Sequence, residues 1–175
     1  MIYILGSGGS MRDFDYSKLH GHDVMAINHM IFKYPEAKHF VAIDNIVYNQ
    51  FESELSKLPC TKHALLGYSD SPAHARLNVH RWEWRNCDGF DTSPFVAHNF
   101  NSGLTGINIA VNLGYTDIHL LGFDGDSTIC LDAARSEHSY MIVKCNLIQR
   151  QLPDNIRITN HSMKSKITAF QKSEL

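Results

Sequence analysis

Short apolar runs alternate with amphipathic segments along most of the chain. Runs that are apolar nearly throughout predict buried strands, while apolar positions spaced by three and four residues predict helices. The predicted strands cover residues 1–5, 23–28, 39–43, 61–66, 118–121 and 156–159. The predicted helices cover residues 46–58, 102–113 and 140–152. A short amphipathic segment is predicted at 29–34, and a loop or short helix at 131–136. This alternation predicts a single α/β domain with a mostly parallel, Rossmann-like sheet flanked by helices.

The second of these long helices and the strand after it organise the predicted domain around one edge of the sheet. Ser102 is suited to cap that helix, and Gly114 is placed to end it, as glycine commonly does at a helix C-terminus. The N-terminus formed by Asn101, Ser102 and Gly103 offers unpaired N–H groups and a positive dipole end, which predicts a phosphate site. Asp124 follows the next strand, at the carboxyl edge where open α/β sheets bind ligands.

Residues 67–97 interrupt the alternation and predict an irregular insertion. Within them, residues 79–84 alternate between polar and apolar types, which predicts a strand or one arm of a hairpin. Trp82 and Trp84 would then face the same side of that strand. We interpret the two rings as a hydrophobic patch under the insertion, in preference to a platform on which sugars stack.

Composition narrows the class of protein. The 175 residues suffice for one domain with a full core, and a net charge of −2 gives no electrostatic case for binding nucleic acid. The four cysteines include no C-x-x-C pair, which argues against a zinc knuckle. No apolar run approaches the ~20 residues of a membrane-spanning helix, and none resembles a signal peptide. A cytoplasmic protein is therefore predicted, and a peripheral position at the inner membrane surface is left open.

Glycines and polar residues gather at the predicted carboxyl ends of the strands. Residues 6–10 (GSGGS) follow the first strand, but they lack the Gly-Lys-[Ser/Thr] of a Walker A loop and the third glycine of the G-x-G-x-x-G motif. Asn28 and Asp44 follow the second and third strands. Since the carboxyl ends of parallel strands share one edge, these residues should meet in a single site. The polar residues predicted to meet there are Ser7, Asn28, Asp44, Asn45, Ser102 and Asp124.

The order and spacing of these motifs resemble those of the bacterial sialyltransferases of glycosyltransferase family forty-two. Residues 4–19 (ILGSGGSMRDFDYSKL) look like that family's opening G-x-G-P-S-L…D-Y-S-x-L, and Asn28 falls where the family has an Asn. Residues 100–124 are similar to its T-S-G-x…A-x-x-L-G-Y-x-x-I-x-L-x-G-x-D segment, and residues 137–139 (EHS) resemble its G-H-S motif. Residues 156–170 look like its closing strand and polar loop.

The resemblance implies a transferase that moves a sugar from a CMP-sugar donor to the hydroxyl of a glycan or lipid-linked glycan acceptor. It implies direct displacement at the anomeric carbon, with neither a metal nor another cofactor. His138 would be the general base, although one histidine of 11 is by itself more typical of the solvated surface. A homo-oligomer is left open. The residues expected to bind the donor are Gly6, Ser7, Gly8, Asn28, Asp44, Asn101, Ser102, Gly103 and Asp124.

Two alternatives stay open at this point. The 6-hydroxymethylpterin diphosphokinase-like proteins share the glycine-rich first loop and the strand-end Asp, and they would use ATP and magnesium. Asp44, Asp124 or Asp126 would then hold the ion, because hard carboxylate oxygens suit it. The other alternative is a nucleotide-binding protein without catalysis. The tyrosines that hold the donor phosphate in the sialyltransferases have no counterpart in residues 127–137.

Overall fold

The computed structural model describes residues 1–68, 70–125 and 139–175, and it shows one nine-stranded sheet in which all paired strands are parallel. The predicted Rossmann-like α/β fold is confirmed. The strands are β1 (Ile2–Leu5), β2 (Val24–Ile27), β3 (His39–Val41), β4 (Thr61–Leu65), β5 (His80–Arg85), β6 (Phe95–Ala97), β7 (Asp117–Leu121), β8 (Arg157–Asn160) and β9 (Gln171–Lys172). The α-helices are α1 (Asn45–Gln50), α2 (Glu52–Leu55), α3 (Pro72–Arg76), α4 (Ser102–Asn112) and α5 (Ser139–Gln151). Three 3₁₀ turns cover Gly9–Met11, Tyr16–Leu19 and Asn28–Phe32.

The first strand lies inside the sheet and the chain winds outward from it in two directions. The strand order is β6-β5-β4-β3-β2-β1-β7-β8-β9. Leu5 at the end of β1 pairs with Ala26 of β2 on one side and with Leu121 of β7 on the other. The direction of winding therefore reverses between β1 and β7, and a crevice opens at such a switch point beyond the carboxyl ends of the strands.

Burial on both faces explains why β1 and β2 are apolar throughout. In β1, Ile2 and Ile4 belong to one core, whereas Tyr3 and Leu5 belong to the core on the opposite face. Alternate side chains of a strand point to opposite faces, so a strand covered on both sides reads as a continuous apolar run. Helices α4 and α5 cover the first face, and α1, α2 and α3 cover the second.

Helix α4 is almost entirely buried and packs across β1, β2, β3 and β6. Its N-cap is Asn101, whose side-chain oxygen accepts a hydrogen bond from the Leu104 N–H, so the prediction that Ser102 caps the helix is wrong by one residue. Gly114 ends the helix at φ +92°, as predicted, because glycine adopts this left-handed conformation without steric cost.

Residues 67–97, which were predicted to be an irregular insertion, contain α3, β5 and β6. Strand β5 runs parallel to both β4 and β6, so it is not an arm of a hairpin. Trp82 and Trp84 face the same side and pack against the first core, as the patch interpretation predicts. The predicted helix over residues 46–58 is instead two short helices that meet at Phe51. Among the described residues, no helix is both long and apolar enough to cross a membrane.

Candidate functional site

The carboxyl ends of the central strands bring most of the predicted site residues together. The loop after β1 lies beside the loop after β7, and the Gly8 N–H donates to the carbonyl oxygen of Gly122 at 2.9 Å. The Ser102 hydroxyl accepts a hydrogen bond from the Ile43 N–H at 3.3 Å, which holds the N-terminus of α4 next to the end of β3. The switch point between β1 and β7 and the N-terminus of α4 therefore lie at the same edge of the sheet.

Asp124 fastens the glycine-rich loop to the rest of this edge. One carboxylate oxygen accepts from the Ser10 N–H at 2.8 Å and the other accepts from the Ser10 hydroxyl at 2.7 Å. The Ser10 hydroxyl also lies 2.9 Å from that of Ser162, and only 8% of Asp124 is exposed. Since both of its oxygens have protein donors, Asp124 acts here as an anchor of the loop. The geometry gives no support to its use as a magnesium ligand.

The predicted glycines are required by close packing within the protein. A Cβ on Gly8 would lie 2.6 Å from the Asp124 carboxylate and from the carbonyl oxygen of Gly122. A Cβ on Gly6 or on Gly103 would lie 3.1 Å from the ring of Phe123, which is wedged between the first loop and α4. A substitution at Gly8 would therefore disturb the loop itself, whether or not a ligand approaches it.

Asn28 has an unusual conformation and environment at this edge of the sheet. It directly follows β2 in the left-handed conformation, at φ +51°. Its buried side-chain oxygen receives no hydrogen bond from any residue that the structure describes. A buried acceptor without a donor costs about 1–3 kcal/mol, so such groups are rare in folded proteins and suggest a partner that binds.

The remaining predicted residues have different surroundings. Asp44 is exposed and makes no capping hydrogen bond at the start of α1, while Ser7 is half-buried in the first loop. His138 and Asp126 lie outside the described residues. Within the described ranges no three His, Cys, Asp or Glu side chains are grouped as ligands of a metal ion.

Two residues of α5 that the sequence analysis did not predict as site residues, Tyr140 and Lys144, lie beside the N-terminus of α4. The Asn101 side chain donates to the Tyr140 hydroxyl at 3.4 Å, and Lys144 donates to the carbonyl oxygen of Asn99 at 2.6 Å. Lys144 also forms an ion pair with Asp88 at 2.8 Å. Tyr140 and Lys144 are four residues apart, so they share one face of α5, and this spacing is a signal that the sequence does contain.

The two strand-end aspartates should differ sharply in their effect on stability. Asp124→Ala removes both acceptors of Ser10 and leaves a backbone N–H without its partner, which should lower the free energy of unfolding by about 2–3 kcal/mol. Asp44→Ala removes an exposed carboxylate and should change it by less than about 0.5 kcal/mol. Urea denaturation, carried out once with EDTA and once with magnesium, measures both. Equal losses, or a loss at Asp124 only when magnesium is present, would contradict the anchoring role.

Comparison with solved structures identifies proteins with the same fold. One match is a variant of the sialyltransferase CST-II in complex with CMP, with a TM-score of 0.59 and 13% sequence identity. Another is the sialyltransferase CST-II in complex with a trisaccharide acceptor and CMP, with a TM-score of 0.56 and 14% identity. Each match covers 98% of this chain and 84% of the other. No protein-family model matches the chain, and no curated protein matches it in sequence.

Proposed function

We propose that this protein is a glycosyltransferase of the sialyltransferase type, which transfers a sugar from a CMP-sugar donor to a hydroxyl of a glycan acceptor. The observation that carries the proposal is the fold match, which spans 98% of the chain and reaches sialyltransferases whose structures contain CMP. The site geometry supports it, because a glycine loop, an unpartnered amide oxygen and a buried helix N-terminus meet at the switch point.

Asn28 and the first loop would hold the nucleoside part of the donor. The unpartnered oxygen of Asn28 is an acceptor, so its partner must bring an N–H or O–H group. The amino group of cytosine and the hydroxyls of ribose both meet that need. Gly6, Ser7 and Gly8 lie at the next strand end, where the backbone of the loop and the half-buried Ser7 would contact the nucleotide.

The N-terminus of α4 would hold the phosphate or the carboxylate of the donor sugar. Asn101 already satisfies the Leu104 N–H, which leaves the N–H groups of Ser102 and Gly103 at the helix end. These donors and the positive end of the helix dipole suit an anion. Asp44 lies nearby as an exposed carboxylate, and it would repel a phosphate placed against it, so we assign it to hydroxyl groups of the donor.

In the proposed reaction the acceptor oxygen forms a bond to the anomeric carbon while the bond from that carbon to the CMP phosphate oxygen breaks. The electron pair of the broken bond leaves with CMP, and the proton of the acceptor hydroxyl passes to a base. We assign this base to His138 from the motif resemblance. An imidazole suits the role because its ordinary pKa lies near neutral pH.

We predict that CMP binds and stabilises the protein without magnesium. At about 100 times its Kd, CMP should raise the free energy of unfolding by roughly 2.7 kcal/mol. Thermal shift with CMP, UMP and ATP, each with magnesium and with EDTA, measures this. Stabilisation by ATP alone, and only with magnesium, would contradict the proposal and favour the diphosphokinase alternative.

Asn28→Ala should weaken CMP binding by about tenfold, since one hydrogen bond to the ligand is lost. Asn78→Ala is the matched control, because Asn78 is also left-handed, at φ +50°, but is exposed at the other edge of the sheet. Both variants place alanine in the left-handed conformation, at a similar cost in free energy. The two variants therefore differ only in the loss of the contact with the ligand. Equal CMP affinity of the two variants would remove Asn28 from the site.

A further inference from the structure

We propose that the rings of Tyr68, Trp84, His98 and Phe100 form a subsite that binds one sugar ring of the acceptor. The identification of this sugar as part of the acceptor rests on the proposed function. The four residues, called the aromatic cluster below, follow or end strands β4, β5 and β6, whose carboxyl ends lie at the same edge as the donor residues.

The aromatic cluster is built around one imidazole. The centroid of the His98 ring lies 4.1 Å from that of Tyr68, 4.3 Å from that of Phe100 and 5.0 Å from that of Trp84. The Trp84 indole N–H donates to the carbonyl oxygen of Leu66 at 2.9 Å, which fixes that ring in place. His98 itself is fully buried beneath the others.

Two of these rings are exposed, although aromatic side chains normally gain stability by burial. Phe100 is 55% exposed and Tyr68 is 36% exposed. An apolar surface of this kind next to a candidate active site needs an explanation that core packing does not give. The C–H face of a pyranose ring is a partner that covers such a surface without requiring a charge.

The backbone that presents Phe100 is strained, and several contacts hold it. Asn99 and Phe100 both have left-handed conformations, at φ +55° and +51°, which cost of order 1–3 kcal/mol each for such residues. The Asn99 side chain accepts from the Gly89 N–H at 2.7 Å and donates to the Gly89 carbonyl oxygen at 2.9 Å. Lys144 adds its hydrogen bond to the Asn99 carbonyl oxygen, and its ammonium lies 5.1 Å from the Phe100 ring centre. The exposed position of Phe100 is therefore maintained by dedicated contacts.

His98 supplies a polar group that lacks a protein partner. Neither ring nitrogen has a hydrogen-bond partner among the described residues. Burial lowers the pKa of His98, and the nearby Lys144 lowers it further, so the ring is neutral and offers one donor and one acceptor. A sugar hydroxyl is also both donor and acceptor, so it can satisfy either nitrogen. Because the neighbouring rings cover the imidazole, we expect the Phe100 ring to rotate away from it and to stay in contact with the bound sugar.

The position of the aromatic cluster suits the acceptor better than the nucleotide. Strands β1 and β4 are three strands apart, which places their ends about 14 Å from each other. Phe100 is only two residues before Ser102 at the start of α4. A sugar on the cluster would thus lie beside the phosphate and sugar of a donor whose base is held near Asn28.

Direct sugar binding tests the subsite without any turnover. Lactose, maltose and cellobiose at millimolar concentrations are titrated into the protein, and binding is followed by saturation-transfer NMR. We expect at least one disaccharide to bind, and Phe100→Ala or Tyr68→Ala to weaken that binding by about tenfold. Leu113→Ala is the control, because Leu113 is an equally apolar, 37% exposed residue at the far end of α4.

His98→Phe separates a ligand-binding role from a structural one. The variant keeps an aromatic ring but removes the unpartnered nitrogens, so its thermal stability should be maintained or raised while disaccharide binding weakens. CMP binding should be unchanged in all of these variants. Loss of CMP binding in Phe100→Ala would assign the cluster to the nucleotide and overturn the proposal, as would wild-type disaccharide binding in that variant or no binding by the parent protein. Disaccharide binding without CMP binding would instead contradict the proposed function and leave the subsite standing.

Discussion

Replacing His138 by alanine is expected to lower the rate of sugar transfer by about 10²–10⁴-fold while CMP affinity stays unchanged. The reason is that a positioned base removes the acceptor proton as the new bond forms, whereas donor binding does not involve that proton. The proposed base accepts a proton only as a neutral imidazole, so the rate of transfer by the parent protein should fall as the pH drops through the histidine pKa. Initial rates with CMP-sialic acid across a pH series, together with CMP titrations, measure both effects.

His20→Ala is the control for this experiment, since the His20 side chain is 63% exposed and lies 3.8 Å from Glu36 on the surface. It should match the parent in rate and in pH profile. Unchanged turnover of His138→Ala would remove His138 from the site. Loss of CMP binding would make it a donor contact and leave the base unidentified.

The folded protein should lose stability steeply as the pH falls below 6.5, because a buried histidine pair cannot accept protons. Burial lowers the pKa of His63 from its ordinary value of 6.5 to about 3, and neighbouring His39 and His80 contribute to the shift. Above pH 6.5 the His63 ring is neutral in both the folded and the unfolded protein, so it does not change the free energy of unfolding. Below that value the unfolded chain gains a proton that the folded chain excludes. The loss is about 1.4 kcal/mol per pH unit, or roughly 2.7 kcal/mol at about pH 4.5, from His63 alone.

A directional chain of hydrogen bonds explains why the pair stays neutral. The Trp82 indole N–H donates to His63 Nδ1 at 3.1 Å, so His63 carries its hydrogen on Nε2, which lies 3.1 Å from His39 Nδ1. His39 Nε2 in turn lies 3.2 Å from the Tyr115 hydroxyl, which donates to Asp23 at 2.7 Å. A second proton on His63 would place its N–H against that of the indole. Protonation of His63 would therefore disrupt the whole series of hydrogen bonds.

The number of protons taken up on unfolding is the measurement that tests this prediction. It is obtained from the slope of the unfolding free energy against pH in urea titrations. His63→Gln should reduce that slope by up to about one proton between the two pKa values, whatever it does to stability at neutral pH. Asn78→Ala, which removes an exposed side chain that does not titrate, should leave the slope as it is. An unchanged slope in His63→Gln would show that His63 does not carry the acid sensitivity.

The local sequence pattern determined much of this fold, because its elements are short and are recognised from their own apolar runs and glycines. The apolar runs that became β1 and β2 could be recognised from their own composition, since a strand buried on both faces is mostly apolar. Gly114 likewise ended its helix where a left-handed residue was required. The gathering of Asn28, Ser102 and Asp124 at one edge also followed from the sequence, because parallel strands align their carboxyl ends.

Tertiary contacts decided what the sequence pattern left open. Strands β5 and β6 acquire their place only by pairing beside β4, at residues whose local pattern is ambiguous. Asp44 and Asp124 look alike in the sequence, yet one is exposed and the other holds Ser10 from 114 residues away. The exposed ring of Phe100 and the buried ring of His98 could not be predicted either, because each depends on hydrogen bonds and packing between distant segments. Local propensity determined which elements form, and long-range contacts determined which side chains lack a partner among the residues that the structure describes.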